Sequence, residues 1–180
     1  MFMTLSVDGF MEGPDHDISW HMVDEEVHAQ INAYLKTSGA FLEGRRTHEL
    51  MVDFWPTADE DPSASPSVRE FAGIWREMPK YIFSKTLDTT DWNTTVLREV
   101  DPTQINELKS QPGGDLILGG ANLAATFMHL DLIDEYRLYI HPVVIGAGTR
   151  LFPPELHVDL RLAETRAFGN GVLLLRYERI

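Results

Sequence analysis

Two short segments of the sequence place a glycine at the start of a helix, an arrangement suited to binding phosphate groups. They are residues 41–47 (FLEGRRT) and residues 116–122 (LILGGAN). In each, a short apolar run predicts a strand, and the residues after the glycine predict a helix. Glycine has no Cβ, so an anion can approach the backbone closely, and a helix start offers free N–H groups and a partial positive charge. Each segment therefore predicts a phosphate loop, although a tight turn would also explain either one alone.

Cations and hydroxyl groups close to these glycines strengthen the phosphate interpretation. Arg45 and Arg46 can donate paired hydrogen bonds to phosphate oxygens, and Thr47 adds a hydroxyl. Ser84 and Lys85 follow a third apolar run and are candidates for an extra phosphate, such as the one on the adenosine ribose of NADPH. The alternative is that the arginines are solvated and that Ser84 and Lys85 form a plain polar end of a strand.

The elements that would position these loops alternate along the chain. Apolar runs predict strands, and helical spacing or helix-start signals predict the helices between them. The predicted strands are residues 1–7, 40–43, 80–83, 115–118, 133–141, 160–168 and 172–179. A hairpin turn is predicted at Gly169-Asn170-Gly171. This order predicts a mixed sheet with helices on its faces and an antiparallel end, where ligands gather at the carboxyl ends of the parallel strands.

Bulk composition predicts one globular domain over residues 1–180 and excludes several classes of partner. The chain is 43% apolar and carries a net charge of −13, which disfavours binding to nucleic acid or to an anionic membrane surface. Without cysteine, disulfides and thiolate metal sites are excluded, and the scattered histidines show no zinc-site spacing, so no metal is predicted. No secretion signal or membrane span is visible, so we expect a cytoplasmic protein.

Four blocks that occur in order make the chain resemble a known family. They are residues 5–10 (LSVDGF), 44–49 (GRRTHE), 119–123 (GGANL) and 141–148 (HPVVIGAG). Together they resemble the dihydrofolate reductase-like proteins, and most closely the reductase domain of bacterial riboflavin biosynthesis, the C-terminal part of the bifunctional deaminase-reductase. The resemblance covers nearly the whole chain. It implies an α/β, three-layer fold around a mixed, mostly parallel sheet with antiparallel C-terminal strands.

The resemblance also implies a function. It implies an oxidoreductase that uses NADPH to reduce a small heterocyclic substrate (pterin- or pyrimidine-like) or a carbonyl compound, and it implies a homodimer. The residues that match the family's cofactor motifs are Gly44, Arg45, Arg46, Thr47, Ser84, Lys85, Leu118, Gly119, Gly120, Ala121, Asn122 and Leu123. The alternative is a dinucleotide- or ligand-binding domain of the same fold that performs no turnover.

Hydride transfer from the cofactor leaves placement, exclusion of water and a proton donor for the protein to supply. The candidate acids are Asp17, Asp24, Glu25 and His28, and a carboxyl group must be shielded to keep a proton near neutral pH. The alternative is that Asp24 and Glu25 only stabilise a helix start. Trp20 resembles the loop tryptophan near the active site of reductases of this fold. We take Trp20, Asp24 and Glu25 as the predicted catalytic residues.

Overall fold

The computed structural model describes all 180 residues, and they form two compact units. One unit combines the two ends of the chain, residues 1–24 and 120–180, and the other is the middle segment, residues 25–119. The single domain over residues 1–180 stays a prediction.

The strands and helices are defined as follows. The strands are β1 (Phe2–Ser6), β2 (Phe10–Glu12), β3 (Ala40–Gly44), β4 (Lys80–Phe83), β5 (Thr94–Leu97), β6 (Leu116–Gly119), β7 (Glu135–His141), β8 (Thr149–Arg150), β9 (Leu160–Ala167) and β10 (Leu173–Arg179). The helices are α1 (Glu25–Leu35), α2 (Arg45–Val52), α3 (Pro66–Glu77), α4 (Pro102–Ser110) and α5 (Ala121–His129), with short 3₁₀ helices at Pro14–His16 and Trp55–Glu60.

The middle unit contains a four-stranded sheet in the order β5-β4-β3-β6, in which every pair of strands is parallel. Leu42, Ile82 and Ile117 on three of these strands are buried, as expected for a parallel sheet covered by helices. Phe71 and Trp75 of α3 supply the large aromatic part of the same core. Because all four strands run in one direction, their carboxyl ends meet at a single edge of the sheet.

The unit formed by the chain ends contains a sheet in the order β1-β7-β10-β9. β1 pairs with β7 in parallel, whereas β10 pairs antiparallel with both β7 and β9. Gly171, with φ of 88°, lies in the turn between β9 and β10, which confirms the predicted hairpin. β2 and β8 form a separate two-stranded ladder. Leu5, Tyr139 and Leu174 are buried in this unit.

The α/β class is confirmed, with a parallel sheet in the middle unit and antiparallel C-terminal strands in the other unit. β5 was not predicted, because its sequence TTVL is polar at its start and none of its residues is fully buried. None of the five helices combines the length and the apolar character that crossing a bilayer would require.

Candidate functional site

The two predicted glycine loops begin at neighbouring strand ends of the parallel sheet. In the register of the middle unit, Gly44 lies beside Phe83, and Glu43 lies beside Gly119. Neighbouring strands are about 4.8 Å apart, so both glycines and the residue that follows Phe83, Ser84, lie along one short edge. The structure therefore brings together residues that are about 75 positions apart in the sequence, as a shared phosphate site requires.

Both glycines face open space. A Cβ built on Gly44 or on Gly119 would meet no heavy atom within 4 Å, and Gly44 has an ordinary φ of −76°. By contrast, a Cβ on Gly148 would lie 2.0 Å from the carbonyl oxygen of Glu12, at a φ of +131°. Gly148 is thus required by the packing of the chain, whereas Gly44 and Gly119 leave room for a ligand against the backbone.

The helices that start at the glycine loops lack the side-chain caps found on other helices. Ser65 caps α3 by accepting a hydrogen bond from the Val68 N–H, and Asp101 caps α4 in the same manner. α2 begins after Gly44 and α5 after Gly120, and neither glycine can supply a cap. The first N–H groups of these two helices therefore remain available to an anion.

Three of the predicted phosphate-binding side chains are exposed cations. Arg45 forms an exposed ion pair with Glu49, one turn along α2, at 2.8 Å. Arg46 and Lys85 are exposed and form no ion pair in the structure. Such solvated cations cost little to redirect toward a ligand, and Thr47 lies half-buried on the first turn of α2 beside them.

Ser84 shapes the turn that follows β4. Its hydroxyl accepts hydrogen bonds from the N–H groups of Thr86 (3.2 Å) and Leu87 (2.9 Å). Arg98, which follows β5, donates to the carbonyl oxygens of Ser84 (3.2 Å) and Leu87 (2.6 Å). The turn that presents Lys85 is therefore held by a serine that was predicted and by an arginine that the sequence analysis missed, because Arg98 follows a strand that was not recognised.

The remaining predicted cofactor residues differ in exposure. Leu118 is a buried core residue of β6. In the other unit, Gly120 has a φ of 90°, which favours glycine, and it precedes α5. Ala121 is half-buried, Asn122 is exposed and Leu123 is buried at the start of that helix. Only Asn122 among these side chains is fully open to solvent.

A group of buried polar residues lies directly behind the first glycine loop and was not predicted as a site. Glu43, the residue before Gly44, is 3% exposed, and its carboxylate oxygen Oε2 lies 3.6 Å from Nδ1 of His48 on α2. The other ring nitrogen of His48, Nε2, lies 3.0 Å from the hydroxyl oxygen of Thr90. The signal in the sequence is a single carboxylate within an apolar strand, which is costly to bury without partners.

Lys80 is a buried cation that is attracted by Glu43. It is 1% exposed, and its ammonium donates hydrogen bonds to the carbonyl oxygens of Trp75, Met78 (2.8 Å) and Trp92 (3.0 Å). It also lies 4.3 Å above the ring of Trp75. Burial lowers the pKa of Lys80 to about 8, and attraction by Glu43 opposes that shift.

Trp20, a predicted catalytic residue, lies in the unit formed by the chain ends. Its indole N–H donates to the carbonyl oxygen of Asp17 at 3.1 Å, and its ring meets that of His141 edge-on at 5.8 Å. His141 is completely buried and accepts a hydrogen bond from the Met22 N–H at 2.8 Å through Nδ1. Burial, with repulsion by His21, lowers the pKa of His141 to about 4, so His141 is neutral and anchors the segment that carries Trp20.

The predicted catalytic carboxylates are exposed. Glu25 accepts hydrogen bonds from the N–H (3.1 Å) and the hydroxyl (2.7 Å) of Ser67 on α3, and the Ser65 and Ser67 hydroxyls together lower the pKa of Glu25. It is therefore ionised at neutral pH and links α1 to α3. Asp24 is exposed to solvent. Neither side chain has the shielding that a proton donor requires.

The pKa values of the other two candidate acids, Asp17 and His28, are also lowered. The Ser19 N–H lowers the pKa of Asp17, and burial lowers the pKa of His28. Asp17 is thus anionic and His28 neutral at neutral pH.

No group of three or more His, Asp and Glu side chains is arranged to hold a metal ion.

Similarity to solved structures defines the class of protein. The chain aligns over 99% of its length with a protein of Shewanella sp. PV-4 assigned to riboflavin biosynthesis (97% of that chain, TM-score 0.75, 18% identity). It aligns equally far with a pyrimidine reductase-like protein of Corynebacterium diphtheriae (90% of that chain, TM-score 0.65, 13% identity). A dihydrofolate reductase of Enterococcus faecalis, solved with NADP(H), matches with a TM-score of 0.64 at 13% identity over 94% of its chain. The fold is therefore that of the dihydrofolate reductase-like α/β proteins.

Sequence comparison identifies the family within this class. The family model of the RibD C-terminal domain matches residues 1–174, so the chain belongs to the RibD C-terminal domain family. The uncharacterized protein YyaP of Bacillus subtilis strain 168 is 33% identical over 177 residues, which are 97% of this chain and 91% of YyaP. The uncharacterized protein YwjB of the same organism is 28% identical over 180 residues, with 97% and 94% coverage.

Proposed function

We propose that the protein is an NADPH-dependent reductase of a small heterocyclic substrate (pterin- or pyrimidine-like) or a carbonyl compound. One observation carries the proposal. Gly44 and Gly119 lie at neighbouring strand ends, both face open space, and the helix after Gly44 has an uncapped start. These features fit the pyrophosphate of a dinucleotide, which needs close backbone approach and free N–H donors.

The side chains around this edge have complementary tasks. Arg46 and Thr47 would bind phosphate oxygens at the start of α2, and Lys85 would bind the 2′-phosphate that distinguishes NADPH from NADH. Leu118 supports the second glycine loop from the core, and the residues after Gly119 remain predicted contacts. NADPH, when bound, supplies the hydride, and the protein supplies placement and excludes water.

The relatives support the same proposal. The family is that of a RibD domain, one fold neighbour is named as pyrimidine reductase-like, and another was solved with NADP(H). The catalytic role of Trp20, whose ring packs edge-on against His141, stays a prediction. The homodimer and the cytoplasmic location implied by the family resemblance are part of the proposal and rest on that resemblance.

A second candidate is a dinucleotide-binding protein of the same fold that performs no turnover. The observation that favours it is the state of the candidate acids, because the pKa of Asp17, of Glu25 and of His28 is lowered in each case. A reductase that adds a proton to its product needs a donor that is protonated at working pH, and Asp24 is exposed.

Binding and turnover measurements separate the two candidates. Purified protein would be titrated with NADPH and NADH, then assayed for NADPH oxidation with pterins, pyrimidines, flavin precursors and simple carbonyl compounds. Turnover of any of these supports the reductase, and binding without turnover supports the second candidate. The double variant Arg45→Ala/Arg46→Ala should bind NADPH at least tenfold more weakly, since each charge-assisted hydrogen bond contributes about 1.5–3 kcal/mol. Unchanged affinity would remove the first glycine loop from the site.

A further inference from the structure

The loop that connects β4 to β5, residues 84–93, carries Lys85 and has several attachments to the rest of the protein, of which three are as follows. Near its start, the Ser84 turn is held by Arg98. Near its end, the Trp92 carbonyl oxygen accepts a hydrogen bond from the buried Lys80 ammonium. Between them, the hydroxyl of Thr90 meets Nε2 of His48 at 3.0 Å. The third attachment joins this loop to α2, the helix that follows the first glycine loop.

The neighbours of His48 favour one tautomer of its ring. The carboxylate of Glu43 lies 3.6 Å from Nδ1, and a carboxylate favours the tautomer with the proton on the nitrogen that faces it. Nε2 is then an acceptor, and the Thr90 hydroxyl donates to it. Glu43 therefore acts on the ring by electrostatic attraction, without a hydrogen bond, and the one hydrogen bond of the ring joins Nε2 to Thr90 on the loop.

The ring of His48 has little freedom to leave this position. Its side chain is 2% exposed, and it stacks against the fully buried Trp75 at 6.2 Å with an interplanar angle of 25°. The Lys80 ammonium lies over the same indole ring and holds the Trp75 carbonyl oxygen. Burial and stacking therefore restrict the ring of His48, and its Nε2 contacts the Thr90 hydroxyl.

We propose that His48 is a positioning residue for cofactor selectivity. Through Thr90 it holds the loop that presents Lys85 in a fixed place relative to α2, so that the 2′-phosphate of NADPH meets a preorganised cation. The inference rests on the proposed function. Preorganisation lowers the conformational entropy lost on binding, and only the ligand group that reaches this loop benefits. Binding of the pyrophosphate at α2 does not depend on Thr90.

Substitution of Thr90 tests this inference against a matched control in the same loop. Thr90→Val keeps the shape of the side chain and removes the hydroxyl, and Thr89→Val makes the same change at a neighbouring exposed position. We expect Thr90→Val to weaken NADPH binding about three- to tenfold, the usual effect of one hydrogen bond, and to leave the dissociation constant of NADH within about twofold. Thr89→Val should change neither. An equal loss for both cofactors, or no loss for NADPH, overturns the proposal.

A second measurement is independent of any cofactor. In protein labelled with ¹⁵N-histidine, the His48 signals, assigned by their loss in His48→Gln, should show Nδ1 protonated and Nε2 as an acceptor. In Thr90→Val, the amides of Thr86 and Leu87 should exchange with solvent faster than in wild type. Protonation at Nε2, or unchanged exchange, contradicts the anchoring of the loop by His48.

If the wild type binds neither cofactor, the proposed function fails, and the proposed role of His48 in cofactor selectivity fails with it. Intact NADPH binding without the Thr90 effect removes only the role of His48.

Discussion

Replacing Lys80 with methionine should destabilise the protein far more than the same change at an exposed lysine. Methionine keeps the length and apolar stem of the side chain, but the carbonyl oxygens of Trp75, Met78 and Trp92 lose their shared donor. Glu43, 3% exposed, also loses the electrostatic attraction of the Lys80 ammonium. Leaving one buried acceptor without its donor costs about 1–3 kcal/mol, and three acceptors share the Lys80 ammonium. We therefore expect Lys80→Met to lower the free energy of unfolding by about 4 kcal/mol.

Urea unfolding followed by tryptophan fluorescence measures this loss, since Trp75 contacts the Lys80 ammonium directly. Lys85→Met is the matched control, and it should change stability by less than about 0.5 kcal/mol because Lys85 is exposed. Adding Glu43→Gln to Lys80→Met should recover about 1–3 kcal/mol relative to the sum of the single changes. A loss below about 1 kcal/mol for Lys80→Met, or strictly additive effects, would refute the reasoning.

The pH dependence of the wild type provides an independent check on Lys80. Its pKa falls from 10.5 to about 8 on burial, so the unfolded chain binds more protons than the folded protein between those values. Stability should therefore rise as the pH increases from 8 toward 10.5, by at most about 3 kcal/mol. The three carbonyl acceptors favour the ammonium and reduce this rise. Lys85→Met should retain it, and Lys80→Met should lose it.

Three further predictions concern Gly44 of the first glycine loop, the buried His141 and the exposed Lys85. Gly44→Ala should change the free energy of unfolding by less than about 1 kcal/mol yet weaken NADPH binding at least tenfold. Gly148→Ala, whose Cβ would meet backbone at 2.0 Å, should instead destabilise the fold. Equal losses of stability for the two variants in denaturant unfolding would contradict this prediction. Because burial keeps the folded pKa of His141 near 4, below the ordinary 6.5, His141 should lower the stability by up to about 3 kcal/mol as the pH drops through that window, and His141→Gln but not His157→Gln should reduce the dependence by that amount. Lys85→Ala should weaken NADPH binding about tenfold or more and leave NADH binding unchanged in the same titration; an equal effect on both would place Lys85 away from the 2′-phosphate.

The parts of the fold that local signals determine were predictable from the sequence. β3, β4 and β6 are short apolar runs that end in glycine or polar residues, and the sequence places each within one residue of its observed position. The β9–β10 hairpin follows from Gly169-Asn170-Gly171 in the same manner. The two glycine loops were predictable for this reason, and the parallel register of the sheet then makes them neighbours.

The features that were missed depend on tertiary contacts. β5 has an unremarkable, polar sequence and is a strand because it pairs with β4. Glu43, His48 and Thr90 come from a strand, a helix and a loop, so no spacing in the sequence links them. The environment of the predicted acids also depends on tertiary contacts, because Glu25 accepts a hydrogen bond from the hydroxyl of Ser67, 42 residues further along the chain.

The most direct test of the account is a titration of ¹⁵N-labelled protein with NADPH, followed through its backbone amide signals. The central claim is that one dinucleotide binds at the adjoining carboxyl ends of β3, β4 and β6. We expect the largest shifts at the amides of Gly44 to Thr47, at Ser84 and Lys85, and at Gly119, saturating together with a single dissociation constant. Saturable shifts confined to other parts of the chain, or no shifts at millimolar NADPH, would contradict the claim and the reductase proposal with it.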